Sequence, residues 1–157
     1  MNIKKFTAAA LIGLSSVACT SNSTKERALE NLAVETGTRA TYIKSGKTHY
    51  LNFFDGFLPS ENGEQPTKFM VGKESINGQV NYLLVQHIDK SHILIVRDLN
   101  SDGTADETLY RELREGTLEE VLLLLARDPA PSEIMTSSFG QEVLDASLDK
   151  LYVDFIK

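Results

Sequence analysis

Cysteine occurs once in 157 residues and tryptophan not at all. One cysteine excludes an intrachain disulfide, so the chain must rely on its core, and it leaves too few thiolates for a structural zinc site. Lysine and arginine nowhere form a cluster longer than Lys4-Lys5, and the formal net charge is -6. The basic footprint of a nucleic-acid binder is therefore missing. Also absent are a G-x-S-x-G nucleophile elbow, a G-x-x-x-x-G-K-[ST] phosphate cradle and a G-x-G-x-x-G turn. Acid pairs such as Glu61 with Glu64, or Glu119 with Glu120, fall in a loop and at a helix start, where acids serve solubility and the helix dipole. The apolar fraction of 41% and charged fraction of 24% are those of one soluble globular domain.

The N-terminus is a processing segment. A basic stretch, Met1-Asn2-Ile3-Lys4-Lys5, precedes the apolar residues 6–14, and Ser15-Ser16-Val17-Ala18 supplies small residues at a cleavage position. The apolar run is too short to cross a bilayer as a stable helix. Cys19 follows Ala18 directly. Val17-Ala18-Cys19 resembles the lipobox of bacterial lipoproteins, whose cysteine becomes the lipidated first residue of the mature chain, although Ser16 stands where that family usually has Leu. The resemblance implies a lipid on Cys19. With Thr20 in place of an aspartate, it also implies an outer-membrane protein facing the periplasm in a Gram-negative host. Ordinary signal peptidase cutting the same bond would leave Cys19 a free thiol. Loss of residues 1–18 removes two lysines and no acid, leaving 14 basic against 22 acidic side chains and a net charge of -8. Such a body is repelled by anionic lipid, so membrane contact is expected through the anchor alone.

Residues 19–23 form a polar tether. Ser23-Thr24-Lys25-Glu26 has the form of a capping box, and Leu29, Leu32 and Ala33 recur at helical spacing before Gly37. The spacing predicts a short helix or spacer over 24–37, with a narrow apolar face. A single domain then runs over 38–157. Period-two segments at 39–44, 49–54, 68–71, 80–86, 92–97 and 108–112 read as strands, joined by short links at Ser45-Gly46, Asn77-Gly78 and 88–91 that make successive strands antiparallel neighbours. Residues 59–66, with two prolines, a glycine and two glutamates, read as a surface loop. Thr117-Leu118-Glu119-Glu120 repeats the capping box ahead of the apolar residues 121–126, expected to be buried against the sheet. A final helix carries Leu144, Leu148, Leu151 and Phe155 on one stripe. The expected fold is α+β: an antiparallel meander of about six strands followed by two C-terminal helices packed on one face.

One stretch carries chemistry: Asp98-Leu99-Asn100-Ser101-Asp102-Gly103-Thr104-Ala105-Asp106. Oxygen-bearing side chains at alternate positions on a tightly curled backbone suit Ca²⁺, which takes six to eight oxygens in a flexible shell. Counting Asp98 as the first position, the register matches the metal-binding half of an EF-hand loop, with Gly103 at the sharp bend. An EF-hand has a bidentate Glu at position 12, and here that residue is Leu109. Its flanks also differ, since 91–97 and 108–112 read as strands. The segment therefore resembles the strand-loop-strand calcium sites of FG-GAP and related repeats. The resemblance implies Asp98, Asn100, Asp102, the Thr104 carbonyl and Asp106 as ligands of a bound Ca²⁺. The bland alternative is an acidic Asx-rich turn without metal, opposed by the repulsion among Asp98, Asp102 and Asp106. His87 and His92 flank one turn, but nothing near them completes a tetrahedral zinc set. They read as strand-end surface histidines.

These readings lead to an exported, lipid-anchored cell-envelope protein with a structural calcium loop, acting as a binding module for a protein, peptide or glycan. Two alternatives remain: a calcium-dependent envelope hydrolase with the 59–66 loop rimming its cleft, or a structural subunit of an envelope assembly docking through its C-terminal helix.

Overall fold

The computed structural model describes residues 21–58, 66–76, 79–89 and 91–157. The expected signal segment and Cys19, residues 59–65 of the expected surface loop and the expected Asn77-Gly78 link lie outside them. Six strands form one antiparallel meander in sequence order: β1 (Thr38–Lys44), β2 (Lys47–Leu58), β3 (Thr67–Ile76), β4 (Gln79–His87), β5 (His92–Asp98) and β6 (Glu107–Glu112). Helix α1 (Asn22–Thr36) precedes the sheet, and α2 (Leu118–Ala126) and α3 (Ser137–Phe155) follow it. The α+β class and the six-strand meander are thus the architecture. No helix among the described residues is long and apolar enough to cross a membrane.

Local chemistry sets the meander's first turn. Ser45 and Gly46 both take positive φ, 51° and 73°, and Lys44 pairs with Lys47 across them. This two-residue geometry suits the right-handed twist of paired strands.

The cover of the sheet differs from the expectation of two C-terminal helices on one face. They divide between the faces. On one side Phe69, Val71, Tyr82, Leu84, Leu94 and Val96 pack with Leu29 of α1 and with Val143, Leu144, Leu148 and Leu151 of α3. On the other, Met70, Leu83, Val85, Ile93, Ile95 and Leu109 pack with Val121 and Leu125 of α2. The reason is legible in β4 and β5, where burial is continuous from Asn81 to Val85 and from Ile93 to Asp98. A strand covered on one side only alternates; one covered on both does not.

Each helix also adjusts an expectation. α1 is no loose spacer, since Leu29 and Ala33 are fully buried in it. Its N-cap is Ser21, which makes no side-chain capping bond, so Glu26 does not close a capping box. α2 is capped as expected, with the Thr117 hydroxyl accepting from Glu120 N–H at 3.3 Å. The Glu120 carboxylate in turn accepts from the N–H groups of Arg114, Glu115 and Gly116. α2 is buried on one side only: Leu123 is 70% exposed. α3 has its stripe in the core, with Leu144, Leu148 and Leu151 fully buried. Gly140 is where α3 meets β6, because a Cβ there would collide with the Thr108 side chain.

Candidate metal centre

The 98–106 loop joins β5 to β6, and its geometry starts from Asp98. This residue ends a strand whose last side chains are enclosed on both sides, so its carboxylate is fully buried. The chain then curls around it. Asp98 Oδ1 accepts from the N–H groups of Asn100 and Asp102, both at 3.2 Å, and Oδ2 accepts from Gly103 N–H at 2.6 Å. Gly103 has φ +89° and Ser101 φ +57°, so the bend falls at the expected glycine and at a serine two residues before it. Left-handed backbone is natural for glycine and uncommon for serine.

The remaining expected ligands follow along the curl. Asp102 accepts from Asn100 Nδ2 at 3.0 Å and from Thr104 N–H at 2.8 Å, and these donors hold its carboxyl below the usual range. Asp106 turns back to accept from Leu99 N–H at 2.8 Å. Thr104 stands exposed beside the bend. Among the described residues, no group of three or more His, Cys, Asp and Glu side chains converges as a ready metal cage. The N–H groups also answer part of the repulsion among the acids, because a carboxylate bonded to several backbone donors is stabilised without a cation.

Helices α1 and α3 hold the loop from outside, through residues the sequence pattern did not single out. Gln141 of α3 grips the backbone on both sides of Thr104: its Nε2 donates to Gly103 O at 3.1 Å and its Oε1 accepts from Ala105 N–H at 2.8 Å. The same Nε2 donates to Asp145 at 2.7 Å, and Asn22 of α1 donates to that carboxylate as well. Lys25 of α1 pairs with Asp149 of α3. From α1, Glu30 accepts from Ser101 Oγ at 2.9 Å.

Glu26 departs from ordinary surface chemistry. It is 1% exposed, and among the described residues neither carboxyl oxygen has a hydrogen-bond donor. Its neighbour is the carboxylate of Asp98. Burial, the contact with Asp98 and the charges of Asp98, Glu30 and Asp102 push Glu26 up to about 10. The fully buried Tyr82 hydroxyl, close to the same acids, also lacks a partner. Two buried oxygen-bearing side chains without donors thus stand near Asp98 among the described residues. The sequence signal for Glu26 was its recurrence with Glu30 at i, i+4, a like-charge pair unfavourable on an isolated helix.

Two other polar clusters differ in kind. On the opposite face, Glu74 is fully buried, but it accepts from Tyr42 OH and from His49 Nδ1 at 3.3 Å and faces Arg97 at 3.6 Å. Arg97 also bonds Glu107 at 3.0 Å. That network joins four buried side chains in the core and leaves only Arg97 Nε without a partner among the described residues. At the other end of the sheet from the loop, a cavity of about 200 Å³ opens among Asp55, Lys68, His87 and Thr117. His87 lies half-buried there, and burial and Lys68 lower its pKa. His92 instead bonds Asp89 at 3.0 Å and stacks on Tyr110. The two histidines therefore serve separate surroundings.

Fold and site together define a class: an α+β meander domain with an acidic Asx-rich loop clamped between two helices. Compared with models of known protein families, with curated proteins and with solved structures, the chain matches none.

Proposed function

We propose that the chain is an exported, lipid-anchored cell-envelope protein whose domain holds Ca²⁺ at the 98–106 loop as a structural clamp and acts as a binding module for a protein, peptide or glycan. The observation that supports the calcium reading is the curl of the loop around a fully buried Asp98, with Gly103 in the left-handed region at the bend. A loop pinned by its own N–H donors and by Gln141 spends little ordering entropy on binding. Outside cells calcium is abundant, so even a weak site fills, and a filled site stabilises the fold by mass action. The export and lipid readings are supported by residues 1–19 alone. The C-terminal leucine stripe is spent in the core, which favours a binding module over a subunit docking through that stripe.

Thermal unfolding of the full chain in EDTA, in millimolar Ca²⁺ and in millimolar Mg²⁺ tests the metal. Calcium at about one hundred times its Kd should add about 2.7 kcal/mol, magnesium much less, and Asp98→Ala/Asp102→Ala should abolish the difference. Equal midpoints in EDTA and calcium would reduce the loop to an acidic turn. Fatty-acid labelling of wild type and Cys19→Ser in a bacterial host tests the anchor, and a wild-type chain exported without label would remove it.

A further inference from the structure

We infer that Glu26 of α1 supplies the ligand that the loop lacks at Leu109, so that calcium is held between helix and loop, against Asp98, and not by the loop alone. The inference rests on the calcium reading proposed above. Leu109 itself is committed elsewhere: it is 1% exposed, in the core between the sheet and α2. Among the described residues Glu26 is the buried carboxylate with no donor, and it lies on the row of α1 that borders the loop. Tyr82 of β4 pairs with Asp98 of β5 across the sheet, and among the described residues its hydroxyl also has no partner. Two orphaned oxygen groups from separate elements thus lie beside Asp98. Calcium's demand for six to eight oxygens exceeds what the 98–106 segment offers in its present curl.

The placement of α1 supports the same assignment. Asn22, Glu26 and Glu30 stand four residues apart, which puts them on one row of the helix. All three positions border the site. A Cβ added at Gly103 would touch Ser23 N at 3.1 Å and Asn22 Cβ at 3.4 Å, and Glu30 already accepts from Ser101. The row therefore runs along the loop, with Glu26 at its centre. Calcium bound there would fasten α1 to β5, two elements far apart in sequence.

The test is calorimetric titration of the full chain with calcium alone, beside Glu26→Gln, which keeps the shape and removes the charge. Wild type should bind. The variant should stay folded in EDTA and bind about tenfold more weakly or worse, at least the loss seen when a supporting residue of a metal site is removed. Undiminished binding by Glu26→Gln would overturn the inference and leave the calcium loop standing. No binding by wild type would overturn both. Should Glu26→Gln fail to fold, terbium emission excited through tyrosine decides. An ion at Glu26 draws its light from Tyr82, so Tyr82→Phe should lose most of the signal, and unchanged emission would refute the placement.

Discussion

Gln141→Ala isolates how firmly α3 holds the loop. The side chain makes two neutral bonds to loop backbone and one to the Asp145 carboxylate. Neutral bonds contribute about 0.5–1.5 kcal/mol each and those to charged groups about 1.5–3 kcal/mol. Water can replace the bond to Asp145, since Gln141 is only half-buried. It cannot easily replace the bond to Ala105 N–H, because Ala105 is 4% exposed. The expected loss is therefore about 2–3 kcal/mol, chiefly from an unsatisfied buried donor and a slackened bend. In a domain of this size that lowers the melting temperature by roughly 6–12 °C. Urea unfolding in EDTA, followed by far-UV circular dichroism, measures it without contribution from metal. Gln141→Glu should be no better, because it loses the donor to Gly103 O and sets a second carboxylate beside Asp145. A change below about 0.5 kcal/mol for Gln141→Ala, at unchanged m-value, would show that the loop keeps its shape without α3.

Other expectations follow from the same contacts. Gly140→Ala drives a methyl into Thr108 and should cost about 1–3 kcal/mol by overpacking; adding Thr108→Ala should recover part of it, and strict additivity in the double-mutant cycle would argue against the contact. Arg111 is 1% exposed and donates to Leu124 O near the end of α2, a helix with no basic residue in its last turn. Arg111→Met should lower the urea midpoint by loosening α2, and hydrogen exchange at 122–126 should rise; unchanged exchange there would reject that role. Hydrogen bonds from Arg127 and Ala130 depress the Glu133 carboxyl, and three backbone N–H groups depress Glu120. A depressed carboxyl contributes stability that is present above its unfolded value and lost as pH falls through the folded one. Stability should thus decline on acidification below the ordinary carboxylate range, and Glu120→Gln should flatten that decline. An identical pH profile would count against the cap.

What the sequence made legible was local. Strand alternation and the turn at Ser45-Gly46 identify a meander because antiparallel neighbours need nothing distant to pair. The loop could be read from Asp98 to Asp106 because ligand spacing and a left-handed glycine lie within nine residues. The division of the helices between two faces was written less plainly, in the unbroken apolar runs 82–85 and 93–96, and the habit of assigning one face to the core hid it. Glu26 is hidden for a physical reason: an acid three residues after Ser23 has the form of a capping box, and only the fold reveals that α1 starts earlier and turns this acid inward. Gln141 carried no signal at all, since its role depends on where α3 crosses a loop nearly forty residues earlier in the chain.

The start of α1 touches the bend of the loop, with Ser23 beside Gly103. Only Thr20, Ser21 and Asn22 separate Ser23 from Cys19, and an extended chain covers at most about 3.6 Å per residue. A lipid on Cys19 would therefore sit on a residue whose backbone is no more than about 15 Å from that of Ser23. The tether would thus leave from the 98–106 end of the sheet, opposite the cavity near His87. Tethered in this way, the domain would have a top and a bottom before it met any partner.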